Sequence, residues 1–282
     1  MLLDLIAKLP LRLLYALTPA IYFGLYRIWR FRAEIVRENL KNSFPDKSDA
    51  ERCRIARDFY RNSSEVLVEA IKARTMSRQE IARRVIFVNR EIMQVCADQG
   101  QSVVLMAAHH CNWEWLLLAS SISFPYEVDA VYKPLHDKRV EAFMFSTRTR
   151  FGARLIPVQE FFSEIIKRKG KPRCYALLAD QTPLADEEKY WTRFLNQDST
   201  FFVGADRIAA ITASPVIFIA MKRLRRGYYE ATLKLIGEPP YARNASKVIE
   251  RYVAEVERQI EEHPADWLWL HRKWKYKKPL YA

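Results

Sequence analysis

The chain has 282 residues, of which half are hydrophobic, and its 46 Lys and Arg outnumber its 33 Asp and Glu to give a formal net charge of +13. That much apolar material is enough for a sizeable core and excludes a chain that is disordered throughout. The seven glycines are also informative, because no two of them lie closer than ten residues. Phosphate-binding loops of nucleotide-binding proteins and kinases need glycines within about six positions of each other, so those classes are excluded.

The N-terminal residues 1–32 are far more apolar than the chain that follows. Between Arg12 and Arg27 lies an uncharged stretch that, as a helix, would reach roughly 21 Å, short of the roughly 30 Å hydrocarbon core of a bilayer. Pro19 is expected to kink this helix. We interpret the segment as a membrane anchor, interfacial or marginally spanning, with 33–282 forming the main domain. The alternative is an ordinary apolar helix packed on that domain.

Two helices are predicted next, at 33–42 and 48–74, and Ser48 with Glu51 can form a capping box at the start of the second. From residue 85 onward, short apolar runs alternate with helical stretches. The runs are 85–88, 102–107, 128–132, 174–179, 215–221 and 228–236, and the helical stretches are 90–98, 112–122, 138–150, 159–168, 203–213 and 246–262. Buried runs separated by helices are typical of an α/β fold. We therefore predict a single α/β domain with a central, largely parallel or mixed β-sheet flanked by helices, plus the N-terminal membrane-associated helix.

The most unusual local sequence, HHCNWEW, follows the predicted strand 102–107, and ligands gather at the carboxyl ends of strands in open α/β sheets. His109 and Glu114 would point about 140° apart on one continuous helix. They can meet only if His109 lies in the loop and Glu114 in the first helical turn, for which Asn112 is a suitable N-cap. A carboxylate bonded to one imidazole nitrogen fixes the tautomer and makes the other nitrogen a general base.

Other interpretations of this loop stay open from the residues alone. It can be a polar loop with a buried, hydrogen-bonded histidine. A zinc site at His110 and Glu114 lacks a third ligand and an HExxH pattern, so no metal is predicted. Nothing independently supports Cys111 as an activated nucleophile. The four cysteines are scattered, which indicates unpaired thiols in a reducing compartment.

His109-x4-Glu114 resembles the HX4(D/E) motif of the glycerolipid and lysophospholipid acyltransferase superfamily, and more closely the pattern of the bacterial lipid A biosynthesis (late) acyltransferase family. Further blocks of that family recur in order along nearly the whole chain. They are RENLKNSFPD at 37–46, Tyr132-Lys133-Pro134, 148–157, Leu178-Ala179-Asp180-Gln181, 202–216 and WLWLHRKWK at 267–275. Ala108 and Cys111 stand where that family usually has small glycines, and Lys133 stands where it commonly has arginine.

The resemblance implies an α/β acyltransferase on the cytoplasmic face of the bacterial inner membrane. It would pass a fatty acyl group from acyl carrier protein to a hydroxyl of a glycolipid, without a cofactor. His109 would be the general base and Glu114 the carboxylate that orients it. The residues assigned to substrate binding are Asn112, Lys133, Arg148, Arg150, Asp180 and Gln181. Arg150, Arg148 and Lys133 would bind phosphate, whereas Asp180 and Gln181 would close the site or simply end a strand.

The basic surplus is expected to face anionic headgroups or an acidic carrier protein. The residues concerned are Lys222, Arg223, Arg225, Arg226, Arg272, Lys273, Lys275, Lys277 and Lys278. The alternative is a merely solvated basic face. Nucleic acid is not predicted as a partner, because the basic residues are dispersed and no recognition motif is present. Two other functions remain open: an acyl-CoA-dependent lysophospholipid or glycerol-phosphate acyltransferase, and a non-catalytic membrane-binding protein.

Overall fold

A seven-stranded β-sheet with helices on both faces forms the centre of the fold in the computed structural model, which describes residues 2–168, 170–242 and 247–277. Its strands are β1 Val85–Val88, β2 Val103–Ala107, β3 Glu127–Tyr132, β4 Arg154–Pro157, β5 Arg173–Leu178, β8 Val216–Arg225 and β9 Tyr228–Gly237. The order across the sheet is β1-β9-β8-β2-β5-β3-β4, and every neighbouring pair is parallel except β8 with β9. The predicted α/β fold with a largely parallel or mixed sheet is confirmed.

Eleven α-helices lie in the described part of the chain. Those after the N-terminal segment are α3 Ala33–Ser43, α4 Asp49–Lys72, α5 Arg78–Arg84, α6 Glu91–Asp98, α7 Trp113–Ser123, α8 Lys138–Arg148, α9 Phe161–Lys167, α10 Gly204–Thr212 and α11 Lys247–Glu262. The capping box predicted for Ser48 and Glu51 is present at the start of α4. Residue 246, the first of the last predicted helix, lies outside the described residues.

A small antiparallel hairpin, β6 Lys189–Phe194 with β7 Gln197–Phe202, was not predicted from the sequence, and neither was β4. The hairpin turns at Leu195 and Asn196, and both residues have left-handed backbone angles. Such a two-residue turn matches the twist of the strands, but its usual sequence signal is Asn-Gly or Asp-Gly. The turn residues here are Leu195 and Asn196, which do not match that signal, so the hairpin could not be predicted from its turn sequence.

The N-terminal segment folds as α1 Leu2–Lys8 and α2 Leu11–Phe23, and α2 continues into a π-helical turn at Gly24–Ile28. The chain bends by 120° at the break between α1 and α2 rather than at Pro19, so the expected position of the kink is wrong. Pro19 cannot donate to the carbonyl of Tyr15, but the hydroxyl of Thr18 does so instead at 2.9 Å. This bond gives the Tyr15 carbonyl the donor that Pro19 cannot provide, and the helix continues past the proline.

The two sides of α1 and α2 differ sharply in exposure. Ala7, Leu11 and Leu14 are buried on the domain, where Lys72 of α4 donates to the Ala7 carbonyl. Leucines on the other side are exposed, including Leu13 at 55% and Leu17 at 50%. Within the described residues no single helix is long and apolar enough to cross a membrane, although α1 and the helix Leu11–Ile28 together reach that length and composition.

Candidate active site

His109 and Asp180 face each other at the carboxyl edge of the sheet. They follow β2 and β5, which are parallel neighbours, and the register pairs Ala107 with Leu178. Each functional side chain lies two residues beyond that pair, so the two meet directly. His109 Nδ1 lies 2.7 Å from Asp180 Oδ1, and the backbone N–H of His109 donates to Asp180 Oδ2 at 3.0 Å.

The Asp180 carboxylate is buried, and both of its oxygens have hydrogen-bond partners. Trp267 Nε1 donates to Oδ2 at 2.9 Å, beside the backbone N–H of His109. Burial by itself raises the pKa of the carboxyl, but the charge of the His109 imidazole and the hydrogen bonds from His109 and Trp267 outweigh it and lower the pKa to about 2. Asp180 is therefore ionised at neutral pH and acts only as an acceptor.

An ionised Asp180 determines which His109 nitrogen carries the proton in the neutral imidazole. Nδ1 must donate to the carboxylate, which leaves the lone pair on Nε2. The side-chain amide of Gln181 lies 3.4 Å from Nε2, and the ring of Trp113 packs edge-on at 5.2 Å between centroids. The geometry thus holds His109 in the tautomer that a general base requires.

Glu114 does not contact His109 in the structure, in contrast to the arrangement inferred from their spacing. Its carboxylate accepts from Arg148 Nε at 2.8 Å and from Arg148 Nη2 at 2.6 Å, and Trp113 Nε1 lies 3.2 Å from Oε1. The loop and first-turn positions predicted for His109 and Glu114 are correct, but the first turn of α7 directs Glu114 toward the end of α8. The carboxylate on the imidazole belongs to Asp180.

Asn112 is the N-cap of α7, as predicted, and this role occupies its side chain. Its Oδ1 accepts from the Trp115 backbone N–H at 2.9 Å, and its Nδ2 donates to the buried Glu69 at 2.8 Å. Asn112 is also completely buried. Both polar ends of the Asn112 amide are therefore bonded within the fold, which gives Asn112 a structural role at the start of α7.

Of the three basic residues expected to bind phosphate, two lie at the same cavity and the third lies outside it. Lys133, which is exposed, and Arg148 both line the cavity that also contains His109. Arg150 is not among the lining residues: its guanidinium donates to the Ala73 carbonyl and packs over the Phe151 ring. The structure therefore places Lys133 and Arg148, but not Arg150, at the cavity that contains His109.

The alternative chemistries of the HHCNWEW loop gain no support from its geometry. Both ring nitrogens of His110 lie 3.1 Å from backbone carbonyls, those of Met221 and His263. Burial raises the pKa of the Cys111 thiol well above its ordinary value, the opposite of what a nucleophile needs. Cys111 has a left-handed backbone with φ of 53°, at a position where the resemblance expects glycine.

A cavity of about 530 Å³ opens beside His109 between the sheet and α7. Its wall is mostly apolar, and three of its strand residues are the small Ala107, Ala130 and Ala176, beside Leu105 and Leu178. The polar groups His109, Glu114, Arg148, Gln181 and Lys133 also line it. An apolar cavity with a few convergent polar groups is the usual form of a small-molecule site.

The basic residues near the C-terminus are not all at the surface. Lys273 is 1% exposed, and Arg223 is half-buried in ion pairs with Glu65 and Asp266, so neither side chain is free to face headgroups. Lys275 and Lys277 are exposed, and Lys278 lies outside the described residues. The sequence alone does not show whether a lysine is solvated or, like Lys273, buried against an aromatic ring. Sequence reasoning consequently missed the part that residues 267–273 play next to Asp180.

A family model described as bacterial lipid A biosynthesis acyltransferase matches residues 1–276. A comparison with curated proteins finds no match. The family match covers almost the entire chain, including the HHCNWEW loop, Asp180 and the C-terminal segment. It supports an acyltransferase activity in lipid A biosynthesis. The chain therefore belongs to the bacterial lipid A biosynthesis acyltransferase family.

Proposed function

We propose that this chain is a membrane-associated O-acyltransferase that moves a fatty acyl group from an acyl carrier protein thioester to a hydroxyl of a lipid A-like glycolipid. The observation that carries the proposal is His109, whose Nδ1 is 2.7 Å from the buried Asp180 carboxylate and which lines an apolar cavity. His109 is the general base, Asp180 is the carboxylate that orients it, and Glu114 acts through Arg148.

The reaction needs no covalent enzyme intermediate. Nε2 of neutral His109 takes the proton from the acceptor hydroxyl as the oxygen attacks the thioester carbonyl carbon. The carbon–sulfur bond then breaks, and the imidazolium returns the proton to the departing thiolate, giving an ester and a free carrier thiol. Base catalysis of this kind contributes roughly 10²–10⁴-fold. Holding donor and acceptor together and stabilising the developing oxyanion would supply the rest.

Arg148 retains hydrogen-bond donors after binding Glu114. The guanidinium has five N–H groups, and the bidentate pair uses two of them. The remaining three can meet a phosphate of the acceptor or of the donor's phosphopantetheine, and Lys133 at the exposed part of the cavity wall can add a second positive charge. Glu114 would keep Arg148 in place for this contact.

The acyl chain would occupy the apolar cavity over the sheet. Leu105, Ala176 and Ala130 lie side by side on β2, β5 and β3, because the register pairs Leu105 with Ala176 and Ala176 with Ala130. The two alanines leave space where larger residues would fill the cavity. Their size would then limit the length of the acyl chain.

We expect Ala176→Leu to shift the preferred donor toward shorter acyl chains, because the added carbons occupy the cavity. Kinetics with acyl carrier protein loaded with chains of graded length would measure this. The ratio of kcat/KM for the longest accepted chain to that for a shorter one should fall about tenfold or more. Ala220→Leu on β8, at an alanine that does not line the cavity, is the control. An unchanged length preference in Ala176→Leu would contradict the assignment of the cavity.

The N-terminal segment 1–32 would hold the enzyme on the cytoplasmic face of the bacterial inner membrane. The exposed leucines of α1 and α2 support this placement. Replacing Leu13 and Leu17 together by glutamate should release much of the full-length protein from sedimenting anionic phospholipid vesicles. Leu67→Glu changes a similarly exposed leucine on α4 and should not do so. Equal release by both variants, or by neither, would contradict the placement.

Lipid mass spectrometry of the native host with and without the gene tests the proposed function. Loss of one acyl-chain mass from a defined glycolipid, restored by the wild-type gene, is the expected result. Transfer by the purified protein from acyl carrier protein and from acyl-CoA would then be compared. Transfer only from acyl-CoA to a lysophospholipid would favour the other enzyme class. An unchanged lipidome together with no transfer from either donor would overturn the proposal.

A further inference from the structure

The three residues Asp180, Gln181 and Thr182 are each held by the C-terminal segment Trp267–Lys273. Trp267 Nε1 donates to Asp180 Oδ2 at 2.9 Å. Lys273 Nζ lies 3.4 Å from the Gln181 carbonyl. The Thr182 backbone N–H donates to His271 Nε2 at 3.0 Å, and its hydroxyl donates to the Lys273 carbonyl at 2.7 Å.

The same segment also holds the histidine loop. The Leu268 N–H donates to the His109 carbonyl at 3.0 Å, and the Cys111 N–H donates to the carbonyl of Asp266, the residue before the segment, at 2.8 Å. His109 and Asp180 come from different strands, so their mutual position depends on the segment that bridges both loops. A small displacement of either loop would change the distance between His109 Nδ1 and Asp180.

Lys273 is the unusual member of this segment, because a buried lysine is costly without a counter-charge. Its Nζ donates to the Thr200 carbonyl at 2.6 Å and lies 3.5 Å from the centre of the Phe201 ring. Among the described residues Lys273 forms no ion pair, and the charge that favours its protonated form is that of the Asp180 carboxylate. Burial lowers the pKa of Lys273 to about 7, against that attraction.

An apolar side chain would fill the space occupied by Lys273 at less cost, but it could not bond two carbonyls. The amine joins the Gln181 carbonyl, beside the site, to the Thr200 carbonyl on β7. His271 supports the same turn as an acceptor: burial lowers its pKa to about 4, so it is neutral at physiological pH and can accept from Thr182.

We propose that the segment Trp267–Lys273 is a positioning element for the reaction, in which Lys273 and His271 fix the turn at Asp180–Thr182 and so keep Asp180 bonded to Nδ1 of His109. The inference rests on the proposed role of His109. Lys273 does not touch the reacting atoms. Its effect is transmitted through Gln181 and Asp180 to the tautomer and orientation of the imidazole.

The test compares Lys273→Met with Lys171→Met in the full-length protein. Lys171 is exposed and precedes β5, at the opposite end of that strand from Asp180. We expect Lys273→Met to lower kcat about 10- to 100-fold, the size of the loss that follows from a misplaced catalytic group, while KM for the thioester changes little. Lys171→Met should retain wild-type kcat.

A second readout does not depend on turnover. The chain has five histidines, so selective ¹⁵N labelling gives few imidazole signals, and the His109 signals report which nitrogen carries the proton. Lys273→Met should change the His109 signals, and Lys171→Met should not. If Lys273→Met does not fold, His271→Leu replaces it, and His271→Gln should restore activity because its amide oxygen can accept from Thr182.

The outcomes separate this inference from the proposed function. A wild-type protein that transfers no acyl group would contradict the proposed function before any variant is made. An active wild type together with wild-type kcat and unchanged His109 signals in folded Lys273→Met would overturn the positioning role. A folded Lys273→Met that is only less heat-stable would also overturn it.

Discussion

Replacing His109 by alanine is expected to abolish acyl transfer while the protein stays folded. The change removes Nε2, the nitrogen proposed to take a proton from the acceptor hydroxyl, and base catalysis alone contributes roughly 10²–10⁴-fold. Its side chain lies at the edge of the cavity, so its removal creates no void inside the core. The measurement is the rate of transfer by purified full-length protein, together with its melting temperature.

His263→Ala is a suitable control for this variant. The structure uses the backbone carbonyl of His263 as an acceptor for His110, and that carbonyl remains after the change. Wild-type transfer in His263→Ala and none in His109→Ala would assign the base. Full activity in purified His109→Ala would remove His109 from the mechanism.

The order and type of most elements could be predicted from periodicity alone. Six of the strands and all of the helices after residue 32 except α5 lie within a few residues of the predicted positions, because buried runs and amphipathic stretches differ in period. Helix α5, β4 and the β6–β7 hairpin were missed. Helix α5 has only seven residues, β4 has only four, and most residues of β6 are only partly buried. Periodicity identifies buried strands far better than exposed ones.

The pairing of His109 with Asp180 was not predictable in the same way. Both residues follow their strand by the same offset, but the sequence does not say that β2 and β5 are neighbours while β3 and β4 lie beyond them. Glu114 was assigned to His109 because it is close in sequence. The residue that contacts the imidazole is 71 positions away. His109 and Asp180 each lie within two residues of the end of a predicted buried run, and this placement is the sequence signal that could have identified the pair.

The structure gives the two buried carboxylates near His109 different partners. Asp180 is paired with the imidazole of His109, and Glu114 is paired with the guanidinium of Arg148. A carboxylate on Nδ1 controls the tautomer, whereas a carboxylate on Arg148 controls where a positive charge is held. Substitutions of Asp180 and of Glu114 should therefore have different effects on kcat, on KM and on the His109 tautomer.

Asp180→Asn is expected to lower kcat by about 10³–10⁴-fold, comparable to the loss in a serine protease triad whose histidine is held in the wrong tautomer. Two N–H donors, the His109 backbone and Trp267 Nε1, converge on Oδ2, so the amide oxygen of asparagine should take that position. The amide nitrogen then faces His109 Nδ1 and donates to it. That contact forces the proton onto Nε2, which can no longer act as a base.

Glu114→Gln is the matched comparison, because it makes the same chemical change at the other carboxylate of the site. It leaves Nδ1 bonded to Asp180, so the ¹⁵N signals of His109 should keep the wild-type tautomer and the loss in kcat should be smaller than for Asp180→Asn. Its main effect should fall on KM for the phosphate-bearing substrate, since Arg148 loses the charge that holds it. The reverse order of effects, with an altered His109 signal only in Glu114→Gln, would return the orienting role to Glu114. It would also mean that the pairing with Asp180 is not the arrangement in which the enzyme turns over.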